Sequence, residues 1–216
     1  MSDQPVFLAG HSLGGSRALL YGWSRLRRGL RVDGVYAFAP PNPGDRFIGE
    51  TYALGGFSRV VKRSFKNRRD LVCDVPVDRL TLGEEYVQPW PLEEMNEPSP
   101  GIGPWSDHYM QLYWQGAHKL PLTGAAIEVA MAADQVANLY RTGEGWTWSN
   151  PIDGQVWAML EMGDRGRLMM ARGTQTELDW LDDFDAIQVK VMQARVSEGF
   201  WRGVAAVQDQ LDAQLG

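Results

Sequence analysis

The sequence predicts one α/β domain with a central, mostly parallel sheet and helices on both of its faces. The first observation is an apolar run at residues 6–9, followed by a glycine-rich turn and then by the apolar, helix-forming residues 18–20. The second is that strand-like and helix-like segments alternate after this turn, as in folds built on parallel strands. The third is size, because 216 residues with 44% apolar and 22% charged residues can bury one substantial core.

The segments after the turn predict the next elements of the sheet. The first helix has leucines and a tryptophan at helical spacing, and it ends in an arginine cluster followed by Gly29, which is a C-terminal signal. We expect those arginines to be solvated at the helix end. Residues 32–39 and 57–65 predict the second and third strands, and Asp45 can cap a short helix between them.

The turn carries the clearest chemical signal in the chain. It reads Gly10-His11-Ser12-Leu13-Gly14, and Gly-x-Ser-x-Gly between a strand and a helix is the pattern of a nucleophile elbow. Glycines are needed there because the strained turn brings backbones too close for a Cβ atom. A chance glycine turn would give the same five letters, but the strand before and the helix after favour a nucleophile. Ser12 is therefore the predicted nucleophile of an α/β-hydrolase fold.

The acid is predicted from the order of functional groups in this architecture, which runs serine, acid, histidine along the chain. Asp70 follows the third predicted strand, at the edge of the sheet where open α/β folds place their catalytic groups. It is therefore the predicted acid that orients the imidazole. Asp74 and Asp78 lie in the same loop and are the alternatives.

Three histidines are available as the base. His11 adjoins the serine and is too close to reach back to it, and His118 lies in a segment that predicts a terminal loop. His108 follows a long segment rich in proline and tryptophan, and its order and spacing favour it as the base. The competing interpretation is that a lone histidine is more often structural than catalytic.

These residues together resemble the class 3 lipases, the fungal-type triacylglycerol lipase family. The matching segments are GHSLGG at residues 10–15, NPGDRF at residues 42–47, Asp70-Leu71-Val72, and Asp107-His108 with Leu112-Tyr113. The resemblance implies an ester or lipid substrate, a nucleophile at Ser12 with Asp70 and His108 as its acid and base, and no metal or organic cofactor.

The second half of the chain predicts a long helix and a β-hairpin. Residues 125–140 are good helix formers, and residues 155–161 and 167–171 are two strand-like runs joined by a turn rich in glycine. Residues 172–180, RGTQTELDW, are similar to the RG(S/T) and lid segment that class 3 lipases place before the elbow. Residues 196–201 resemble that family's HxGF segment, with Glu198 where a histidine is common, and they open an apolar-faced helix.

The resemblance therefore implies a circularly permuted order within a single domain of residues 1–216. Residues 125–216 correspond to the half that the family places first, and residues 1–124 carry the elbow, the acid and the histidine. Permutation is tolerated when chain ends lie close together at the surface. The alternative is an offset piece of a tandem array of lipase domains.

The resemblance also implies roles for several residues around the serine. The backbone N–H of Leu13 and the N–H and hydroxyl of Thr174 would bind the oxyanion. Trp180 and Leu181 would belong to a lid, which is unusually acidic because aspartates occupy positions 179, 182, 183 and 185. Trp90 and Trp105 could line an acyl groove, with core or loop packing as the equal alternative for each.

Composition limits the partners and the compartment. A net charge of −6 argues against nucleic acid as the main partner. No apolar run is long enough to span a membrane, so at most peripheral membrane contact is expected. The start lacks a signal peptide and Cys73 is the only cysteine, which together favour a cytoplasmic protein. The competing function is a catalytically silent hydrolase fold that serves as a binding or structural module.

Overall fold

The computed structural model describes residues 4–54, 57–76, 85–101, 105–121, 123–141, 148–152, 155–173 and 188–216. The strands are β1 (Val6–His11), β2 (Gly34–Phe38), β3 (Val61–Asn67), β4 (Glu93–Met95), β5 (Trp148–Ile152), β6 (Gln155–Glu161), β7 (Arg167–Ala171), β8 (Gln188–Val191) and β9 (Ala194–Ser197). The helices are α1 (Leu13–Arg27), α2 (Phe47–Ala53), α3 (Met110–Lys119), α4 (Gly124–Arg141), α5 (Glu198–Ala205) and α6 (Gln208–Leu215).

The central sheet has seven strands in the order β4-β3-β2-β1-β7-β6-β5. The five strands from β4 to β7 pair in parallel, whereas β6 and β5 are antiparallel to their neighbours. Strands β8 and β9 form a separate hairpin. A mostly parallel sheet with helices packed on it is the predicted α/β-hydrolase architecture.

The two faces of the sheet bury different sets of helices. On one face, Leu8 of β1 packs in a core with residues of α1, α5 and α6, while the adjacent Ala9 packs on the other face with residues of α3 and α4. Successive strand residues point to opposite faces, so a strand covered on both sides is apolar throughout. This explains why residues 6–9 form a continuous apolar run rather than an alternating one.

Three element boundaries differ from the sequence prediction. Strand β3 begins at Val61 rather than at residue 57, because its parallel pairing with β2 starts at Gly34↔Val61. Helix α1 begins directly after Ser12 instead of near residue 18. His118 lies in the last turn of α3 rather than in a loop. In each case a pairing or packing partner decides the boundary, and the local pattern does not reveal it.

The apolar-faced helix predicted at the end of the chain is two helices, α5 and α6. The apolar face is nevertheless as predicted, because its five members are fully buried: Phe200, Val204, Val207, Leu211 and Leu215. The chain bends at Val207, which has φ −126° and precedes α6. The hairpin β8–β9 before these helices has no counterpart in the sequence prediction.

The arginine cluster at the end of α1 is only partly solvated. Gly29 has φ +76°, the left-handed conformation expected of a glycine that ends a helix. Arg25, however, is buried and forms an ion pair with Asp212 of α6 at 2.5 Å. The expectation that these arginines are solvated is therefore wrong for Arg25, because α6 packs over the end of α1.

Strand β7 lies beside the elbow strand, although the two are far apart in the sequence. It pairs with β1 in parallel, from Val6↔Arg167 to Gly10↔Ala171. The backbone N–H of Arg167 donates to the carbonyl of Pro5 at 2.8 Å, and its side-chain Nη1 donates to the carbonyl of Gln214 at 3.1 Å. Pro5 and Gln214 thus lie together at the end of the sheet opposite Ser12.

In the part of the chain that the structure describes, none of the helices combines the length and the apolar character that a membrane span needs.

Candidate active site

Ser12 occupies the sharp turn between β1 and α1. Its backbone has φ +58°, a conformation that costs a non-glycine residue about 1–3 kcal/mol, and its N–H donates to the carbonyl of Phe38 at 2.8 Å. A Cβ on Gly10 would lie 2.2 Å from the carbonyl oxygen of Gly14, and one on Gly14 would lie 2.1 Å from that of Ala171. The two glycines of the motif are therefore required by close backbone approach, as the sequence predicts.

The structure brings Ser12, His108 and Asp70 into one hydrogen-bonded chain. His108 Nε2 lies 2.8 Å from Ser12 Oγ, and His108 Nδ1 lies 2.8 Å from Asp70 Oδ2. Ser12 and Asp70 are buried, whereas 16% of the His108 side chain is exposed. His108 contacts the Ser12 hydroxyl and is partly exposed to solvent, so it can exchange protons with both.

Of the two alternative acids predicted from the sequence, Asp74 is the one that the structure describes. Asp74 is half exposed and its carboxylate pairs with Lys66 at 2.6 Å, away from His108. Asp78 lies outside the described residues. Asp70 is the residue whose carboxylate meets the imidazole.

Asp70 is held as a carboxylate by donors on several sides. Burial acts to raise its pKa, but hydrogen bonds from His108, from Tyr113 and from the Val72 amide together hold the pKa below its usual value. The Tyr113 hydroxyl donates to Oδ2 at 2.5 Å, and the Val72 N–H donates to Oδ1 at 3.0 Å. Asp70 therefore remains ionised at neutral pH and can stabilise an imidazolium.

Tyr113 and Asn67 are site residues to which the sequence prediction gives no role. The Tyr113 hydroxyl that donates to Asp70 also accepts from the Asn67 backbone N–H at 2.8 Å. The buried Asn67 side chain donates to the carbonyls of Glu97 and Asp107 and accepts from the Glu97 N–H at 2.9 Å. Asn67 therefore connects the end of β3 to the segment that carries His108. Neither residue belongs to a motif that fixes its function, although Tyr113 lies in the segment after His108 that resembles the lipase family.

The other two histidines do not serve as partners of Ser12. His118 is exposed and bonds to Asp134 at 2.9 Å. His11 is buried, and its Nε2 lies 2.8 Å from the backbone carbonyl of His108. Burial and the neighbouring His108 lower the pKa of His11 to about 3, so its ring is neutral at physiological pH.

Of the two predicted oxyanion donors, Leu13 lies in the part of the chain that the structure describes. Leu13 is the first residue of α1, where a backbone N–H has no partner within the helix. On the other side, a Cβ on Gly173 would lie 2.9 Å from the Cβ of Ser12, so the chain after β7 passes directly over the nucleophile. Thr174, Trp180 and Leu181 lie outside the described residues.

The two tryptophans proposed for an acyl groove have different surroundings. Trp90 packs edge to face against Tyr52, with ring centroids 5.0 Å apart, next to the core around α1 and α2. Trp90 therefore packs against the core, which is the alternative to a place in an acyl groove. Trp105 is half-buried, and its carbonyl accepts from the His108 N–H at 3.0 Å, so it belongs to the turn that presents the histidine.

Comparison with known proteins agrees with the resemblance seen in the sequence. The family described as lipase (class 3) matches residues 1–80, which include both Ser12 and Asp70. No curated protein and no solved structure matches the chain. The family match supports a lipase or ester hydrolase at the level of the family.

Proposed function

We propose that this protein is a serine hydrolase that cleaves carboxylic esters, with lipid-like or short to medium acyl chains, through an acyl-enzyme. The observation that carries the proposal is the unbroken chain from Ser12 Oγ through His108 to Asp70, with 2.8 Å at each link. The chain starts at a strained elbow, a turn that lifts the serine hydroxyl clear of the sheet.

Acylation follows from this geometry. The Ser12 Oγ attacks the ester carbonyl carbon while His108 Nε2 takes its proton, and Asp70 stabilises the resulting imidazolium through Nδ1–H. The tetrahedral intermediate then collapses, and His108 returns the proton to the departing alcohol. The covalent product is an ester between the acyl group and Ser12.

Deacylation repeats the same proton transfers with water as the nucleophile. His108 removes a proton from water as the oxygen attacks the acyl carbon, and then protonates Ser12 Oγ as it departs. The free acid leaves, and the serine and the neutral imidazole are restored. These steps require no group beyond the side chains named and the donors for the oxyanion.

The oxyanion is proposed to receive hydrogen bonds from Leu13 and Thr174. Leu13 is the first residue of α1, so the positive end of the helix adjoins the serine and favours negative charge there. Thr174 directly follows Gly173, and the close approach of Gly173 to Ser12 supports this role. Each such donor contributes about 3 kcal/mol to transition-state stabilisation in comparable sites.

A series of p-nitrophenyl esters, from acetate to palmitate, tests the activity and the acyl preference together. We expect the purified protein to release p-nitrophenol and Ser12→Ala to release none. The short and medium chains should be hydrolysed fastest, because the four aspartates at 179–185 make a poor surface for insertion into anionic lipid. A sharp rise in rate once a long-chain triglyceride exceeds its solubility would contradict that preference.

A covalent probe separates a serine hydrolase that does not accept these esters from a catalytically silent fold. A fluorophosphonate should add a single adduct, and peptide mapping should place it on Ser12. Ser12→Ala is the matched control and should take none. If the folded wild-type protein neither hydrolyses an ester of this series nor reacts with the probe, the chain is the catalytically silent alternative.

We also propose that the order of elements is a circular permutation of the class 3 lipase order. Two observations support it: the parallel pairing of β7 with β1, and the contacts of Arg167 with both Pro5 and Gln214. Joining two segments that both contact Arg167 adds only a short loop, and the entropic cost of closing a loop grows slowly with its length.

The permuted order predicts that relinking the chain preserves activity. A variant with a short glycine linker between Gly216 and Met1, opened between α3 and α4 near Gly124, should fold and hydrolyse the same esters within about tenfold of the parent rate. The loop between those helices is exposed at both of its described flanks, Pro121 and Thr123, so cutting there exposes no core. A relinked chain that stays unfolded, beside a parent chain that folds, would exclude the permuted order and favour the tandem-array alternative.

A further inference from the structure

A line of partly buried hydrogen bonds beside the serine joins four separate segments of the chain. The backbone N–H of Gly173, after β7, donates to the hydroxyl of Tyr140 at 3.0 Å. The Tyr140 hydroxyl lies 3.1 Å from His11 Nδ1, and His11 Nε2 lies 2.8 Å from the carbonyl of His108. The line therefore starts one residue before Thr174 and ends on the backbone of His108.

The partners fix the direction of every bond in this line. The carbonyl of His108 can only accept, so His11 Nε2 carries the proton and His11 Nδ1 is the acceptor. The Tyr140 hydroxyl has one proton, which it donates to Nδ1, while its oxygen accepts from Gly173. The opposite tautomer of His11 would set the Nε2 lone pair against a carbonyl oxygen, so one arrangement satisfies all of these groups.

The surroundings keep this arrangement in one protonation state. Burial raises the pKa of Tyr140, so its hydroxyl stays protonated, and burial together with His108 keeps His11 neutral. The His11 and His108 rings also lie against each other, with centroids 4.7 Å apart and planes 33° apart. The neutral His11 ring, which is held in one tautomer, thus packs against the imidazole of His108 without adding a charge beside it.

We propose that His11 and Tyr140 are positioning residues that hold the backbones of His108 and Gly173 in register with Ser12. The inference rests on the proposed function, because it assigns these residues to the same reaction. Ser12 is fixed by its own strained turn, whereas His108 comes from a non-helical segment and Gly173 from a chain leaving the sheet. His11 is adjacent to Ser12 in sequence, so bonds through His11 and Tyr140 tie both segments to the nucleophile itself.

Loss of either residue is expected to lower kcat with little change in KM. Tyr140→Phe keeps the ring but removes the hydroxyl that serves two bonds, and His11→Leu removes the donor to His108. A displacement of a catalytic group by about 1 Å costs on the order of 10²-fold, so we expect a drop in kcat of roughly 10- to 100-fold for each. Because both act through the same line of bonds, the double variant should lose no more than about the worse single variant.

Two matched variants separate positioning from simple loss of packing. His11→Gln places an amide N–H where Nε2–H stood, so it should recover at least half of the lost activity on a logarithmic scale, whereas His11→Leu should not. Tyr36→Phe removes a tyrosine hydroxyl that bonds to Glu128 on the same helix, α4, at 2.7 Å, and should leave kcat unchanged. Urea unfolding measures the free energy of unfolding of each variant, which a purely structural role would change.

Steady-state hydrolysis of p-nitrophenyl butyrate by the full chain distinguishes the outcomes. A wild-type protein that neither hydrolyses the ester nor labels at Ser12 overturns the proposed function. A wild-type protein that is active while His11→Leu and Tyr140→Phe keep its kcat overturns the positioning role alone. Equal losses in His11→Gln and His11→Leu, or additive losses in the double variant, also overturn it. A selective fall in kcat with recovery by glutamine supports it.

Discussion

Replacing Asp70 by asparagine is expected to lower kcat for ester hydrolysis by about 10⁴-fold while the protein remains folded. The geometry explains why so conservative a change is so costly. The Val72 N–H donates to Asp70 Oδ1, whereas the Tyr113 hydroxyl donates to Oδ2, on the side of His108. An asparagine has one oxygen and no charge, so it cannot accept on both sides and cannot stabilise the imidazolium that forms when His108 takes the Ser12 proton. Where its amide nitrogen faces Nδ1, that nitrogen donates to Nδ1 and leaves the proton on Nε2, so the imidazole cannot accept the proton of Ser12.

The aspartate four positions later provides the matched control. Asp74 is 51% exposed and its partner is Lys66, so Asp74→Asn removes an exposed ion pair worth less than about 1 kcal/mol. Initial rates over a range of p-nitrophenyl ester concentrations give kcat and KM for the parent and both variants, with circular dichroism as the test of folding. If Asp74→Asn is inactive and Asp70→Asn retains the parent rate, the acid has been assigned to the wrong residue.

The parts of the site that follow from local chemistry could be predicted from the sequence. The elbow at Ser12 is recognisable because Gly10 is required by a contact with Gly14, within the motif itself, although Gly14 is required by a contact with Ala171 of β7. Asp70 is recognisable because the ends of parallel strands meet at one edge of a sheet. The adjacency of β7 and β1 followed from the resemblance rather than from any local pattern, because the two strands are far apart in the chain.

The residues that support the site could not be predicted in the same way. Tyr113 and Tyr140 act through a single hydroxyl each, on helices whose apolar patterns would be unchanged by phenylalanine. His11 looks unsuitable because it is too near the serine to be its base, yet that nearness allows it to reach the carbonyl of His108. Such roles depend on which helix packs where, and one sequence carries no record of that.

The burial of Arg25, which affects stability, could not be predicted from the sequence either. At the end of a helix, before a glycine, an arginine usually extends into solvent and complements the helix dipole. Here α6 covers it, and its guanidinium bonds to Asp212, to the Tyr21 hydroxyl at 3.2 Å and to the carbonyl of Arg31 at 3.3 Å. Burial raises the pKa of Tyr21, so this hydroxyl stays protonated and donates to Asp212 at 2.8 Å.

Asp212→Ala is therefore expected to lower the free energy of unfolding by about 3 kcal/mol, which corresponds to a fall in melting temperature of roughly 6–12 °C for a domain of this size. The substitution leaves the Arg25 guanidinium, which is 2% exposed, without its counter-charge. Breaking a buried pair costs about 3–5 kcal/mol, and the lower end applies because 19% of Asp212 is exposed. Urea unfolding should show a lower midpoint with an unchanged slope.

The pair between Glu198 and Arg202 on α5 is the control for this prediction. Its oxygen and nitrogen lie 2.6 Å apart, about as close as in the buried pair, but Arg202 is 73% exposed. Glu198→Ala should therefore cost less than about 1 kcal/mol. Replacing both Arg25 by methionine and Asp212 by leucine should recover much of the loss, because an apolar pair leaves no unpaired charge in the core. Equal losses in Asp212→Ala and Glu198→Ala would show that burial of Arg25 does not make its ion pair important for stability.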